Sequence, residues 1–469
     1  MNLSELLFEH PAADDVDLLI GTERTLTTAQ ARAEAGALAD RFAGDGIGGG
    51  DAVAVQLPDG PDVVVTIAAI WKAEAIFVPI NPRAPAAEVE AALAVTRPAA
   101  LVTADGIRRL DDPATYEPGV AFVTWTSGTT GRPKAIVHLH DAYLELIDRV
   151  LEPLRASARP SGKAPTPNLI PVSLALNAGI YNALFGLRAG APLVVMSRFE
   201  TTTFADLVRT HGIRSTVLPP TAITMLADDD SVDDLSPLRY VRSITAPLSP
   251  LAARRFTEKF AVTVLNGYGQ AELGEVIGWT AADAKAHPDK IGAVGRPHPG
   301  VAIKVVDDTG RDPGVDQPGE LLVRPPQRAV GYVGGGDLDD RIDDDGFVRT
   351  GDVARVDGEG FVWIEGRLGE TINRGGNKVF PEQVEEVLRL SPNVRDAAVV
   401  GRPDDRLGEV PVAFVVGGVD ADELEALCRS QLAPYKVPVE FVEIAELPRS
   451  DVGKVLRRAL GARASETSR

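Results

Sequence analysis

The chain has 469 residues, 44% of them hydrophobic and 25% charged, with a formal net charge of −19. That length exceeds what one hydrophobic core organises and predicts about two to four domains. The acidic excess argues against nucleic acid or an anionic membrane as a partner, because either needs a basic face.

The single cysteine, Cys428, excludes a disulfide framework and a cysteine-based metal site. It falls in the helical pattern LEALCRSQL and reads as a small core residue. The stretch MNLSELLFEHPAADD is acidic and lacks the apolar run of a signal peptide. No apolar stretch approaches the roughly 18 residues that a membrane span needs. A cytoplasmic location without stable membrane insertion is expected.

In chain order, TTAQARAEAGALADRFA has helical spacing, and the glycines between Gly44 and Gly50 end it. GDGIGGG follows a helix and precedes a strand, the reverse of a dinucleotide fingerprint, so it reads as a helix stop. DAVAVQLP predicts a strand, DVVVTIAAIWKAEA a helix and IFVPIN another extended run. VAFVTWT and AIVHLH are strand-like on either side of a glycine-rich stretch and predict a hairpin; His138 and His140 read there as structural rather than catalytic. LVVMSR, STVLPP and VTVLNGYG continue the strand signals. Such alternation predicts α/β layers with a mostly parallel sheet.

Beyond residue 300 the pattern changes. VAIKVVDDTG, GELLVRPP, GFVRTGDVARVD and GFVWIEGR are short strands between Gly/Asp turns, the signature of antiparallel structure. After Gly366, PEQVEEVLRLS predicts a helix with Val384, Val387 and Leu388 on one face. RDAAVVGRP and VPVAFVVGG predict strands and ADELEALCRSQL a helix, so the chain should end in a small α+β domain. The expected division is 1–366, a hinge at 367–370, and 371–469.

The glycine-rich stretch is TWTSGTTGRPK, residues 124–134. It is not a Walker loop, because Gly128, Gly131 and Lys134 have the wrong spacing, Pro133 precedes the lysine and Ala135 opens a strand. It still holds what a phosphate needs. Gly128 and Gly131 let backbone N–H groups converge on an anion, Thr126, Ser127, Thr129 and Thr130 add hydroxyls, and Lys134 adds charge.

This stretch resembles the phosphate loop of the adenylate-forming superfamily of acyl- and aryl-CoA synthetases, peptide-synthetase adenylation domains and luciferases, with Ala135 replacing the usual final glycine. Further segments are similar to that family's motifs and fall in its order: KAEAIFVPINPRAPAAEVEAAL, RSITAPLS, NGYGQAE, TGDVARVDGEGFVWIEGR, RGGNKVFPEQVE and LPRSDVGKVLRR. The resemblance implies a large N-terminal domain of layered α/β sheets with a β-rich subdomain, and a small mobile α+β C-terminal domain. It also implies a two-step reaction, in which a carboxylate attacks the α-phosphate of ATP to give acyl-AMP and pyrophosphate, and a thiol then displaces AMP.

By the same resemblance, the 126–134 loop holds the β- and γ-phosphates. Tyr268, flanked by Gly267 and Gly269, stacks on adenine opposite Thr245, Ala246 and Pro247. Glu272 binds Mg²⁺, Asp352 accepts the ribose hydroxyls, and Arg367 assists at ribose and phosphate. Lys454 is the catalytic lysine, delivered and withdrawn by domain movement. Gly369 lies in the hinge, and Gly375, Gly376 and Asn377 line the CoA tunnel. Leu174, Asn177, Ala178, Ile244, Gly269, Gln270 and Ala271 form the acyl pocket.

Ala271 stands where the family usually has Thr, Ile244 where it has Gly, and Gly369 where it has Asp or Lys. The segment from Leu169 to Phe199 offers Leu174, Ala175, Leu176 and Asn177, with no acidic residue before its end. An α-amino acid is therefore not expected, since its buried ammonium would go unpaired. The expected substrate is an apolar aliphatic or alicyclic acid, with an aromatic acid as the alternative. The expected acceptor is CoA, with a carrier-protein phosphopantetheine or an amine as alternatives. A nucleotide-binding pseudo-enzyme is the remaining reading, and the oligomeric state, monomer or homodimer, stays open.

Overall fold

The computed structural model of the chain describes residues 2–126, 134–157, 165–246, 248–334, 338–418, 420–449 and 455–466. The helix Thr28–Gly44 begins at a reciprocal cap: Thr27 accepts from the Gln30 N–H, and the Gln30 side chain accepts from the Thr27 N–H. Ala31, Ala35, Ala39 and Phe42 form its buried stripe. Gly46, at φ 71°, turns the chain out of the helix, so GDGIGGG is the stop expected of it.

A seven-stranded sheet carries the first half of the chain. At its centre Ala52–Gln56, Ile76–Pro79 and Ala100–Thr103 run parallel. Val53 and Val55 enter one core cluster while Ala52 and Ala54 enter another, so both faces are covered, as parallel sheets require. The helix Pro61–Lys72 is buried along nearly its whole length, and Trp71 donates its indole N–H to Ala121 O at 2.7 Å.

Strands Val120–Thr126 and Lys134–Leu139 form the expected hairpin on the same sheet, paired to the Thr126–Lys134 rung. Its tip, Ser127 to Pro133, lies outside the described residues. The outer edge of the hairpin is covered by Gly331–Tyr332, a two-residue strand from much later in the chain.

In a second sheet Ser215–Leu218, Tyr240–Ser243 and Thr263–Gln270 are parallel, and Gly274–Gly278 and Arg296–Pro297 extend it antiparallel. An antiparallel sheet follows, with the order Ala302–Val306, Gly319–Arg324, Val348–Val356, Val362–Arg367. The last sheet draws only on strands from Ile372 onward, and its core packs Val384 and Leu388 of one helix against Leu424 and Cys428 of another. The progression from layered α/β to antiparallel β to α+β follows the sequence pattern.

Between the last two sheets Leu368–Glu370 is a single 3₁₀ turn. A side chain at Gly369 would meet nothing within 4 Å, so space does not demand glycine there. Arg457 ties this turn to the final domain by donating to Glu370 at 2.7 Å, Glu382 at 3.2 Å, Val399 O at 2.9 Å, and Glu385.

His138 is structural, as expected. It is 2% exposed, stacked on Phe122 with centroids 4.7 Å apart, and its Nε2 lies 2.8 Å from Thr124 Oγ1. Burial pushes its pKa down to about 3, and burial likewise pushes His10 and His140 down to about 4. A histidine depressed in the folded state stabilises the fold above its unfolded pKa and loses that contribution as pH falls toward the folded value. Lowering the pH from 7 to 5 should therefore remove on the order of 2 kcal/mol through His138 alone. Urea unfolding curves across this range should be flatter with pH for His138→Phe than for the wild type.

Candidate active site

Strand Thr263–Gln270 organises the site. Residues two apart share a face, so Tyr268 and Gln270 point one way and Gly267 and Gly269 the other. Position 269 admits no side chain, because an added Cβ would sit 2.1 Å from Gly274 O. The ladder to Gly274–Gly278 shifts register at that point.

On the Tyr268 face lies one continuous polar network. Tyr268 donates its hydroxyl to Asp352 Oδ2 at 2.6 Å, and Gln270 Nε2 donates to the same oxygen at 3.0 Å and to Thr350 O at 2.8 Å. Arg367 Nε stands 3.2 Å from Asp352 Oδ1, directly across the rung that pairs the two residues. Arg341 donates to Gln270 Oε1 at 2.8 Å and to Glu272 Oε1 at 3.4 Å. Tyr332 donates to Glu272 Oε1 at 2.9 Å, and the Lys134 ammonium lies over the Tyr332 ring, 4.8 Å from its centroid.

Lys134, Tyr268, Glu272, Asp352 and Arg367, singled out in three motifs, thus meet in one place. Asp352 is 5% exposed and Glu272 8%, so both depend on these donors. Burial, reinforced by Asp352, raises the Tyr268 phenol well above its usual pKa, and burial with Glu272 pushes Tyr332 up to about 12. Both phenols remain protonated donors at neutral pH.

The linking residues Tyr332 and Arg341 were not anticipated. Their one sequence signal was weak: Arg341 is the lone cation in GGDLDDRIDDDG. Gln270 is a correction. It was assigned to the acyl pocket, but its side chain joins Asp352 and Arg341, because strand alternation places it with Tyr268.

Thr245 adopts φ 85°. A β-branched residue in that region is strained by roughly 1–3 kcal/mol. The outlier sits in the turn expected to wall a ligand, beside Ala246. Pro247, the tip residues Ser127, Gly128, Thr129, Thr130 and Gly131, and Lys454 lie outside the described residues. Gly375, Gly376 and Asn377 are not brought to the network. They are exposed in a turn of the small domain, where Gly375 N–H donates to Leu407 O at 2.7 Å and Gly376 N–H to Asn373 Oδ1 at 3.1 Å.

The residues expected to line an acyl pocket come from several elements. Leu174 is fully buried, with its N–H on Asp59 Oδ1 at 2.7 Å. Asn177 and the buried Ala178 open the helix Asn177–Arg188, and Asn177 Oδ1 accepts from the Tyr143 hydroxyl at 2.8 Å. Ile244 is half-buried after strand Tyr240–Ser243, and Ala271 is half-buried just past strand Thr263–Gln270.

This neighbourhood is less aliphatic than the 169–199 segment suggested. Glu275, 7% exposed, accepts from Arg242 at 2.7 Å, and its Oε1 lies 3.1 Å from His298 Nε2. Burial pushes the Glu275 carboxyl up, but Arg242 and His298 outweigh it and hold the pKa down to about 2. A Cβ added at Gly267 would lie 3.1 Å from Glu275 Oε1 and 3.4 Å from Ile244 Cγ2, so the carboxylate and Ile244 converge on that glycine. Glu275 and Arg242 arrive from different strands, which is why a scan of one segment missed them. Arg149 fastens the surroundings by donating to Leu273 O, Glu275 O and Gln327 O at 3.5, 3.4 and 3.3 Å.

Residues 8–119 and 113–333 match the family model described as AMP-binding enzyme, and residues 383–454 match that of the AMP-binding enzyme C-terminal domain. The 4-coumarate–CoA ligase 5 of Oryza sativa subsp. japonica is 33% identical over 383 residues, covering 78% of this chain and 69% of that one. The indoleacetate–CoA ligase of Aromatoleum aromaticum is 29% identical, covering 97% of this chain and 96% of that one. Among solved structures, an amide bond synthetase from Marinactinospora thermotolerans superposes with a TM-score of 0.85 at 26% identity, over 98% of this chain and 99% of that one.

The buried ion pair yields a stability prediction. Arg242→Met leaves the buried Glu275 carboxylate with His298 as its one side-chain partner and should destabilise the fold by about 3 kcal/mol, whereas Arg242→Met with Glu275→Leu should recover most of that loss. Denaturant unfolding of the single and double variants measures both.

Proposed function

The chain belongs to the family of AMP-binding enzymes, and from that premise we propose that it is an ATP-dependent acid–thiol ligase that activates an apolar carboxylic acid as acyl-AMP and passes the acyl group to CoA. The observation that carries this reading is the network joining Lys134, Tyr268, Glu272, Asp352 and Arg367. These are the residues that handling a nucleotide triphosphate requires.

In the first step an oxygen of the substrate carboxylate attacks the α-phosphate of ATP, and pyrophosphate leaves. Little covalent work falls to the protein, so alignment and charge neutralisation dominate. Lys134 and the tip Ser127–Gly131 take the β- and γ-phosphates. Tyr268 offers its ring to adenine, with the strained Thr245 turn opposite. Asp352, an acceptor with two oxygens, takes ribose hydroxyls in exchange for its present donors, and Arg367 stays beside it. Ala271 brings no hydroxyl to the AMP phosphate, so this step should be slower than where a Thr stands there.

Glu272 fits Mg²⁺, because Tyr332 and Arg341 both address Oε1 and leave Oε2 to a hard cation. Among the described residues no group of three or more His, Cys, Asp or Glu could hold a metal. The ion would thus be shared between Glu272 and the nucleotide's own phosphates, as Mg²⁺ commonly is. Its contribution when bound is to neutralise phosphate charge.

In the second step the CoA thiol attacks the acyl carbonyl and AMP leaves. The turn Gly375–Asn377 lines the pantetheine path only after the small domain rotates about the Leu368–Glu370 turn. Similarity to ligases of 4-coumarate and of indoleacetate favours an aromatic acid as the alternative substrate. Similarity to an amide bond synthetase favours an amine as the alternative acceptor. Pyrophosphate release from a panel of acids, repeated with CoA and with amines, tests all three, and no release with any acid would favour a nucleotide-binding pseudo-enzyme.

Lys454 is assigned to the substrate carboxylate and α-phosphate. Lys454→Ala should lose roughly 2.7–4 kcal/mol of transition-state stabilisation in adenylation, or about 10²–10³ in rate. Acyl transfer from supplied acyl-AMP should suffer much less. Near-normal pyrophosphate release by this variant would remove Lys454 from the mechanism.

A further inference from the structure

The segment from Ile372 onward meets the antiparallel sheet across the Leu368–Glu370 turn, and two polar side-chain contacts bridge that seam. Beside the turn, Gln383 of the helix Pro381–Leu388 donates to Glu365 of strand Val362–Arg367. This bond is part of a longer run, because Glu365 also accepts from Arg355 at 2.8 Å and Gln383 Oε1 accepts from Lys436 at 2.6 Å. The packing there is close: a Cβ added at Gly366 would lie 2.7 Å from Glu382 Oε2.

The second contact lies at the far side of the same sheet. Lys378, in strand Asn377–Val379, donates to Asp308 Oδ1 at 2.7 Å and to Oδ2 at 2.8 Å. Asp308 stands in the turn after strand Ala302–Val306. That turn is a built one, since Asp307 Oδ1 accepts from the N–H groups of Thr309 and Arg311 at 2.8 and 3.0 Å. Ala302–Val306 and Val362–Arg367 are opposite edges of the four-stranded sheet. With neighbouring strands about 4.8 Å apart, the two edges are separated by roughly 14 Å.

The hinge turn and the Gln383 contact thus share one edge, and the Lys378 contact holds the other. The small domain has its own sheet and core and moves as a unit. A rotation about the turn that spares Gln383 must therefore part Lys378 from Asp308. Their side chains are 46% and 75% exposed, so both charges return to water when the pair opens. Such a pair biases an orientation without locking it.

We propose that Lys378 and Asp308 are a releasable latch on the orientation of the small domain, one that must open before the acyl group passes to CoA. This rests on the ligase reading above, in which the turn Gly375–Asn377, next to Lys378, reaches the pantetheine path only after rotation.

Spin labels on Asp40→Cys and Asp405→Cys in the full chain report the orientation by pulsed electron resonance. Both positions are exposed, one in each domain, and the native Cys428 is buried away from the label. Asp308→Lys sets two cations against each other and should raise the ratio of displaced to seated small domain about fivefold. Asp308→Lys with Lys378→Asp restores an opposite pair and should bring the ratio back to within about twofold of the wild type. Salt at about 1 M should raise the ratio in the wild type and lower it in Asp308→Lys, because it screens attraction and repulsion alike. CoA added with AMP should draw the labels to the displaced distance. The CoA concentration for half of that change should fall in Asp308→Lys by about the factor that the ratio rises.

A merely structural pair would alter the unfolding midpoint and leave the ratio alone. A ratio unchanged in Asp308→Lys overturns the proposal, and so does a swapped pair that fails to restore it. If the ratio responds as stated but CoA with AMP moves the labels in no variant, the result supports the latch and counts against the ligase reading instead.

Discussion

The hydrogen-bonded run from Tyr268 through Asp352, Gln270 and Arg341 to Glu272 is the constraint that the rest of the site obeys. Asp352 belongs to the antiparallel sheet, Tyr268 and Gln270 to the second sheet, and Tyr332 to the edge of the first. Two nearly buried carboxylates cannot persist without donors. None of these sheets can therefore move far from the others without stranding a charge. Hydrophobic packing brings the layers together, since Leu273, Val276 and Ile277 share a core cluster with Leu321, Val348 and Val362. The polar run then fixes how they meet.

The two faces of strand Thr263–Gln270 divide the chemistry. Tyr268 and Gln270 supply polar atoms toward Asp352, and the glycines on the other side let Gly274, Glu275 and Ile244 pack close against the strand. The charges follow the same division. Asp352 has Arg367, Glu272 has Arg341, and Glu275 has Arg242, so each carboxylate is neutralised on its own side. A net charge of −19 is thus compatible with sites that are locally close to neutral.

Much of this was legible from residue order. The helix over TTAQARAEAGALADRFA, the glycine stop after Gly44, and the strands flanking TWTSGTTGRPK depend on neighbours a few positions away, and they appear where the pattern places them. So does the change to antiparallel strands beyond residue 300. The motif residues Lys134, Tyr268, Glu272, Asp352 and Arg367 were identifiable because each carries its local context with it. Gln270 was misplaced for a local reason too: its motif was read without following which way alternate side chains on a strand must point.

The sequence by itself determined the elements, their order, and which short segments bear chemistry, because propensity, capping and side-chain period act over a few residues. Only the tertiary structure decided which charges face one another. Strand order and register brought Arg242, Glu275 and His298 together from separate segments and set Tyr332 against the hairpin. A buried charge needs a partner within a few ångströms whatever their separation along the chain, and that pairing is chosen by packing rather than by local preference.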